Sequence, residues 1–300
     1  MKITNTTKGY IYAIISVIAV SNVYIFSKAA LKLISIPQFG TYWFLFGFLW
    51  ILLFAWYRKS SSVLKSLSVR SLLLLLFLGI FEVIGTYFFF KAIHTISNPT
   101  IVSFVGNIGP VLVISLSVIL LKERFNTLEL VGMLLTLVGA FVISYKGKAA
   151  LENMFMNGTQ YILFGALFGA TNAIIIKKNI KSIPPIVLTL NRTFFLFSFS
   201  LVALLFSGNS FVIPFSAFKS VFIGSLLGPF LTVIAGYFAL QYIPLSRKAI
   251  VGSTKGLFVL VGSYLYFGQF PKFITLMGGL VTILGLILIG IGKMKIKKTP

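Results

Sequence analysis

The sequence predicts an all-α integral membrane protein of ten transmembrane helices, built as two inverted five-helix repeats. Three observations predict it. The 300 residues are 58% hydrophobic and only 10% charged, whereas a soluble domain of this length needs far more charge on its surface. Apolar stretches of about 20 residues, long enough to cross a hydrocarbon core, recur along almost the whole chain. The two halves of the chain also share a side-chain pattern at a nearly constant offset.

Charged or Pro/Gly/Ser-rich breaks set the spans near residues 9–27, 38–57, 71–91, 97–121, 128–145, 159–176, 185–206, 218–241, 245–267 and 273–292. The first, K-G-Y-I-Y-A-I-I-S-V-I-A-V, follows a basic N-terminus as a signal peptide would. Only F-S-K-A-A comes after it, with no small-x-small cleavage site, so it reads as a retained helix. The fourth and ninth spans each open with a polar stretch and carry a helix-disturbing pair, Gly106–Pro110 and Gly252–Gly256. Irregular backbone at membrane depth is tolerated where it lines a cavity or packs in protein, and corresponding breaks in two halves point to a transporter's binding site.

The repeat divides the chain into 1–148 and 149–300. Ser21-Asn22 meets Thr171-Asn172, Tyr87-Phe88 meets Tyr237-Phe238, and Ile93 meets Ile243 in one register. After a short slip, Gly132, Thr136 and Gly139 meet Gly278, Thr282 and Gly285. An odd number of helices per repeat turns the second half upside down, so each loop and its repeat partner face opposite sides. Loop charge agrees. K-E-R-F at 122–125 is answered by G-Q-F-P at 268–271, and R-K-S-S-S at 58–62 by S-G-N-S at 207–210. Basic residues gather on the cytoplasmic side, which therefore receives both termini and, among others, Lys177, Lys178, Lys181, Arg247 and Lys248.

Composition excludes much. The chain has no cysteine, no aspartate, one histidine and four glutamates, which removes disulfides and thiolate metal sites and leaves little for a catalytic triad or metal cluster. No cofactor and no metal are expected, and an enzyme is not. The net charge of +22 follows from the loops rather than from a basic stripe with interleaved aromatics, so no nucleic-acid partner is expected.

A ten-helix chain of about 300 residues in two inverted halves resembles the drug/metabolite transporter superfamily, and within it the EamA-type carriers. The first repeat carries that pattern best, in Pro110, the apolar stretch 111–121, Glu123, and a helix with Gly132 and Gly139. The second keeps Gly278 and Gly285 but has Gly256 at the proline position and Gln269 at the glutamate position. The resemblance implies a cavity between the repeats that opens alternately to each side, walled in part by the fourth and ninth helices. Gly109, Pro110, Gly252 and Gly256 are then the gating positions.

Polar groups inside the spans are the candidate substrate contacts. Lys255 lies about 15 Å deep at 1.5 Å per residue, where an ammonium costs at least about 2.5 kcal/mol. It reads as an anchor for an anionic substrate group or as one half of an ion pair, with Glu82 as the structural partner. T-K-G before an apolar run is also similar to the ninth-helix lysine of the sugar-phosphate and nucleotide-sugar branches of the superfamily. Glu82 is the only acid well inside a span. It is the candidate proton carrier, or a counter-ion to Lys255 or Arg192. Arg192 follows Asn191 in the seventh span and can hold a carboxylate bidentately or bond helix-end carbonyls. Asn22 and Asn172 either bond substrate or join helices. Asn107 is placed to cap the broken fourth helix, and Tyr87 and Tyr237 either face substrate or sit in an interface belt.

The expected function is secondary transport of a small metabolite, an amino acid or related compound, outward across a bacterial inner membrane. The alternative cargo is an anion such as a sugar phosphate or carboxylate. The expected partners are a small-molecule substrate, the lipid bilayer and protons as coupling ion, for a monomer or a homodimer. A lipid-modifying enzyme would need clustered His, Asp or Glu at one interface. A scaffold would leave the inverted repeat and the intramembrane charges without a purpose.

Overall fold

The structure is a computed structural model that describes residues 4–59, 67–96, 106, 108–144, 158–258 and 273–296. The described secondary structure is helical. The helices are α1 Asn5–Leu31, α2 Ile36–Tyr57, α3 Val69–Thr95, α4 Ile108–Leu121, α5 Thr127–Ser144, α6 Thr159–Asn179, α7 Pro185–Phe206, α8 Phe215–Tyr242, α9 Leu245–Ser253 and α10 Phe273–Ile296. Six of them, α1, α2, α3, α6, α7 and α8, are long and apolar enough to cross a membrane, and shorter apolar helices accompany them. The second half of the ninth predicted span, the loop 268–271 and Asn107 lie outside the described residues.

Local sequence sets the helix starts. Thr4, Ser35 and Ser68 cap α1, α2 and α3, each side chain accepting a bond from a first-turn backbone N–H, which satisfies a donor the helix leaves open. Gln38 completes a capping box on α2, and Asn126 with Glu129 does the same on α5 through reciprocal bonds of 2.7 and 3.1 Å. Prolines 184, 214 and 244 immediately precede α7, α8 and α9, where a fixed φ and a missing N–H suit a chain about to become helical.

Packing follows the repeat. α3 packs on α6, and α1 packs on α8; α2 packs on α7, α4 on α9 and α5 on α10. In the α5–α10 seam backbone approaches backbone. A Cβ added at Gly132 would lie 2.6 Å from the Gly285 carbonyl, and one at Gly139 2.6 Å from the Gly278 carbonyl. Low numbers on α5 face high numbers on α10, so the two helices run antiparallel. Thr136 and Thr282, both fully buried, bond back to the carbonyls of Gly132 and Gly278. The residues that match in the sequence repeat are thus also the residues that touch, and backbone meets backbone there because only glycine leaves room.

A second repeated device ties helix ends together. Lys28 on α1 donates to the carbonyls of Ile93 and Ile96 at the end of α3, at 2.7 and 3.0 Å. Lys177 on α6 donates to the carbonyls of Leu240 and Ile243 at the end of α8, at 2.6 and 2.8 Å. Each ammonium satisfies carbonyls that a helix C-terminus leaves open and meets the negative end of its dipole.

The eighth span, expected as a plain helix, is not one. Residues Leu226–Thr232 form a π-helical turn around Pro229. Proline removes one N–H and crowds the preceding turn, and a π-turn absorbs the misfit. At the end of that turn the carbonyl of Thr232 accepts from the Ser16 hydroxyl at 2.7 Å. Gly228 in that turn accepts the ring of the buried Trp43, whose nearest carbon would lie 2.6 Å from an added Cβ.

Candidate functional site

One cavity of about 360 Å³ opens between the helices, and its wall draws on both halves of the chain. The wall is mostly apolar and includes the aromatic side chains of Tyr24, Trp43, Phe44, Phe81, Phe89 and Phe90. The π-turn contributes Gly228, Pro229 and Thr232, so the irregular stretch of α8 faces the cavity as buried irregular backbone should. The volume suits a small metabolite.

The polar groups form one network and one isolated charge. Glu82, the middle residue of α3, receives Arg192 Nε at 2.7 Å on Oε2 and Asn172 Nδ2 at 2.7 Å on Oε1. Arg192 also donates to the Thr86 hydroxyl at 3.2 Å. Both ends of the ion pair are about four-fifths buried, with side chains 19% and 17% exposed. Each charge therefore depends on the other, since neither has enough water to stand alone. The remaining oxygen of Asn172, Oδ1, is buried without a hydrogen-bond partner.

Lys255 is the isolated charge. It is 9% exposed, lines the cavity, and holds its ammonium 5.8 Å from the centre of the Tyr24 ring. The fixed pair with Glu82 that the sequence allows is not formed; Glu82 pairs with Arg192 instead. The break in the ninth span is present. α9 ends at Ser253, Thr254 turns, and helix resumes at Lys255. The two bonds that span the break, Thr254 N–H to Val251 and Leu257 N–H to Thr254, each reach back only three residues. In the first half, α4 starts just after Gly106, whose carbonyl accepts from Gly109.

The structure thus brings Lys255, Arg192, Glu82, Asn172 and Gly109 to one cavity. Asn22, Tyr87, Tyr237, Pro110, Gly252 and Gly256 are not on its wall. Asn22 bonds back to Ile18 of its own helix, so it does not act as the counterpart of Asn172. Tyr87 is 40% exposed beside Lys91. Tyr237 is buried among Leu188, Leu240 and their neighbours. A Cβ at Gly252 would meet nothing within 4 Å. Sequence reasoning did not single out Thr86 or the π-turn; the G-P pair at 228–229 was the available signal for the latter.

Arg247 and Lys248, counted from the sequence among the cytoplasmic-side charges, lie in the first turn of α9. Arg247 is buried and pairs with the fully buried Glu129, its Nε at 2.8 Å, with the guanidinium 5.6 Å from the Phe125 ring centre. Glu123 accepts from the N–H groups of Leu245 and Ser246 at 2.9 and 3.0 Å and from the Ser246 hydroxyl. A carboxylate at a helix N-terminus satisfies open donors and favours the dipole. The glutamate of K-E-R-F therefore latches the start of α9 to the α4–α5 connection.

Comparison with known proteins agrees with this architecture. A solved crystal structure matches at a TM-score of 0.73 and 12% identity, over 96% of this chain and 97% of its own. That likeness concerns the fold. The uncharacterized transporter sll1164 of Synechocystis sp. (strain ATCC 27184 / PCC 6803 / Kazusa) is 26% identical over 215 residues, covering 67% of this chain and 60% of the relative's length. The sequence pattern of the EamA-like transporter family matches residues 7–145 and 156–291. The chain is an integral membrane protein that belongs to the EamA-like transporter family.

Proposed function

We propose that the protein is a secondary transporter that exports a small carboxylate-bearing metabolite, an amino acid or a related compound, by alternating access. The observation that carries this is Lys255. Its ammonium faces a mostly apolar cavity whose one acid, Glu82, is paired with Arg192 and Asn172. A substrate carboxylate supplies the missing counter-charge, and aromatic faces accept the ammonium end of a zwitterion. The moving bodies are two inverted five-helix repeats, 1–148 and 149–300, with ten membrane-spanning segments and both termini on the cytoplasmic side of a bacterial inner membrane. The Glu123 latch and the Arg247–Glu129 pair close that side, and the breaks near Gly109–Pro110 and Gly252–Gly256 absorb the bending.

One observation favours the runner-up, an anion such as a sugar phosphate. Lys255 leaves the cavity with one positive charge more than its acids balance, which a net anion cancels and a zwitterion does not. Proteoliposomes loaded with alanine or with a hexose phosphate separate the two. The first reading expects chain-dependent alanine efflux that falls at least tenfold in Lys255→Gln. Efflux of hexose phosphate alone would replace it with the second, and efflux of neither would overturn both. Glu82 is the proposed proton carrier. Glu82→Gln should abolish accumulation driven by a pH gradient while exchange persists, and retained accumulation would remove it from that role.

A further inference from the structure

We propose that the face of α6 from Gly169 to Asn172 is the specificity subsite of the cavity, where the unpartnered Oδ1 of Asn172 accepts the ammonium of an amino-acid cargo. The inference rests on the reading of Lys255 as the anchor for the carboxylate, and it adds what holds the other end. α6 presents Ile162, Gly165, Ala166, Gly169 and Asn172 to the cavity. Their helical spacing places all five on one face. Asn172 is the one hydrogen-bonding side chain among them.

The two glycines of that face differ in what surrounds them. Gly165 serves packing: a Cβ there would lie 3.2 Å from the Gly85 carbonyl of α3 and 3.4 Å from the Phe89 nitrogen. Gly169 does not. It is exposed on the cavity wall, and a Cβ added to it would meet nothing within 4 Å among the described residues. Inside a helix glycine is less stable than alanine, so propensity argues against this glycine and packing does not require it. The space it leaves open is room for cargo.

Asn172 stands one turn further along, and helical side chains lean toward the preceding turn, here that of Gly169. Its carboxamide is held at one end only. Nδ2 donates to Glu82 Oε1 at 2.7 Å, which fixes the orientation of the amide. Oδ1 is buried with no partner among the described residues. A buried acceptor without a donor is costly, and a ligand N–H that enters the space over Gly169 removes that cost. An amide that donates to a carboxylate is polarised, so its oxygen is the stronger acceptor, and a charged donor makes the stronger bond to it. Glu82 and Arg192 offset each other in charge, so the pair does not repel an ammonium. With the carboxylate at Lys255 and the ammonium at Asn172, both ends of an α-amino acid have a place on one cavity wall.

The test measures binding to the purified full-length chain by isothermal titration, with L-alanine, L-lactate and propionate as probes. All of them carry a carboxylate, and they differ in bearing an ammonium, a hydroxyl or a hydrogen on the α-carbon. Alanine should bind at least tenfold more tightly than lactate or propionate, because a site built around a hydrogen bond rejects the analogue that lacks it. Asn172→Leu should remove that preference by weakening alanine alone. Gly169→Val fills the space and breaks no contact, so it should weaken alanine at least tenfold while the melting temperature holds. Equal affinities for alanine and propionate, both lost in Lys255→Gln, would overturn the subsite and leave the anchor standing. So would an alanine preference kept in Asn172→Leu, or alanine binding unchanged in Gly169→Val. Lactate as tight as alanine would overturn the assignment of an ammonium. Binding of none of the probes, or binding that survives Lys255→Gln, would instead overturn the anchor reading on which the subsite rests.

Discussion

The α5–α10 seam and the α4–α9 region come from the same sequence repeat and have opposite characters. In the seam each half contributes Gly, Thr and Gly at matching positions, both threonines bond back in the same way, and the helices touch along their backbones. Around α9 the match fails: Gly109 stands in the first half where Lys255 stands in the second, and Pro110 where Gly256 does. The seam shows what the matching positions provide, a close contact whose energy is van der Waals packing. The α9 region differs between the halves: its Arg247 is paired with Glu129, while Lys255 has no charged counterpart in the first half. Close backbone packing is found where the halves agree, and Lys255 where they differ.

The comparison can be broken by mutation, and the largest effect is expected in the seam. Gly285→Val puts a branched side chain against the Gly132 carbonyl, 2.5 Å from the first added carbon, and against the Thr136 hydroxyl. Over-packing of this kind costs about 3 kcal/mol. A thermal melt should show it as a large loss of stability, and an unchanged melting temperature would contradict the close approach. Glu82→Gln comes next. It leaves the guanidinium of Arg192 without its partner in a site about four-fifths buried, at a cost of about 3 kcal/mol before relaxation. Arg192→Gln should cost the same by leaving the carboxylate unpaired, and the double variant should recover part of the loss. Strictly additive losses would show that the two groups do not act as a pair.

Lys28→Met and Lys177→Met sharpen the symmetric side of the comparison. Each removes a cation from helix-end carbonyls, worth about 1.5 kcal/mol, and the repeat predicts equal losses. Lys255→Gln is the smallest. No ion pair is broken, so stability should hold or rise slightly. A drop as large as that of Glu82→Gln would mean that Lys255 holds the structure together.

Much of this was legible in the sequence because apolar length and glycine spacing are read directly along the chain. The seam residues Gly132, Thr136, Gly139, Gly278, Thr282 and Gly285 match as repeat partners in the sequence, and the structure puts them in contact. Glu82 and Arg192 were recognisable as charges that need a counter-ion, since depth alone implies that. Which cation takes Glu82 was not legible. Arg192 and Lys255 were both candidates, and the choice depends on how α3 and α7 lie beside each other. Arg247 and Lys248 misled for a related reason. After Pro244 and next to basic loops they look like cytoplasmic surface, but Glu123 and Glu129 hold the first turn of α9 inward. Asn22 and Asn172 occupy matching positions and still differ, because an acid faces only one of them.

The central claim is that Lys255 is a free charge awaiting a substrate's anionic group, and one experiment addresses it most directly. The purified chain and its Lys255→Gln variant are screened side by side for thermal stabilisation by a library of metabolites. The account predicts that the stabilising compounds of the unmodified chain carry a carboxylate or another anionic group, and that their shifts vanish in the variant. Stabilisation by compounds with no such group, or shifts that persist in Lys255→Gln, would contradict it.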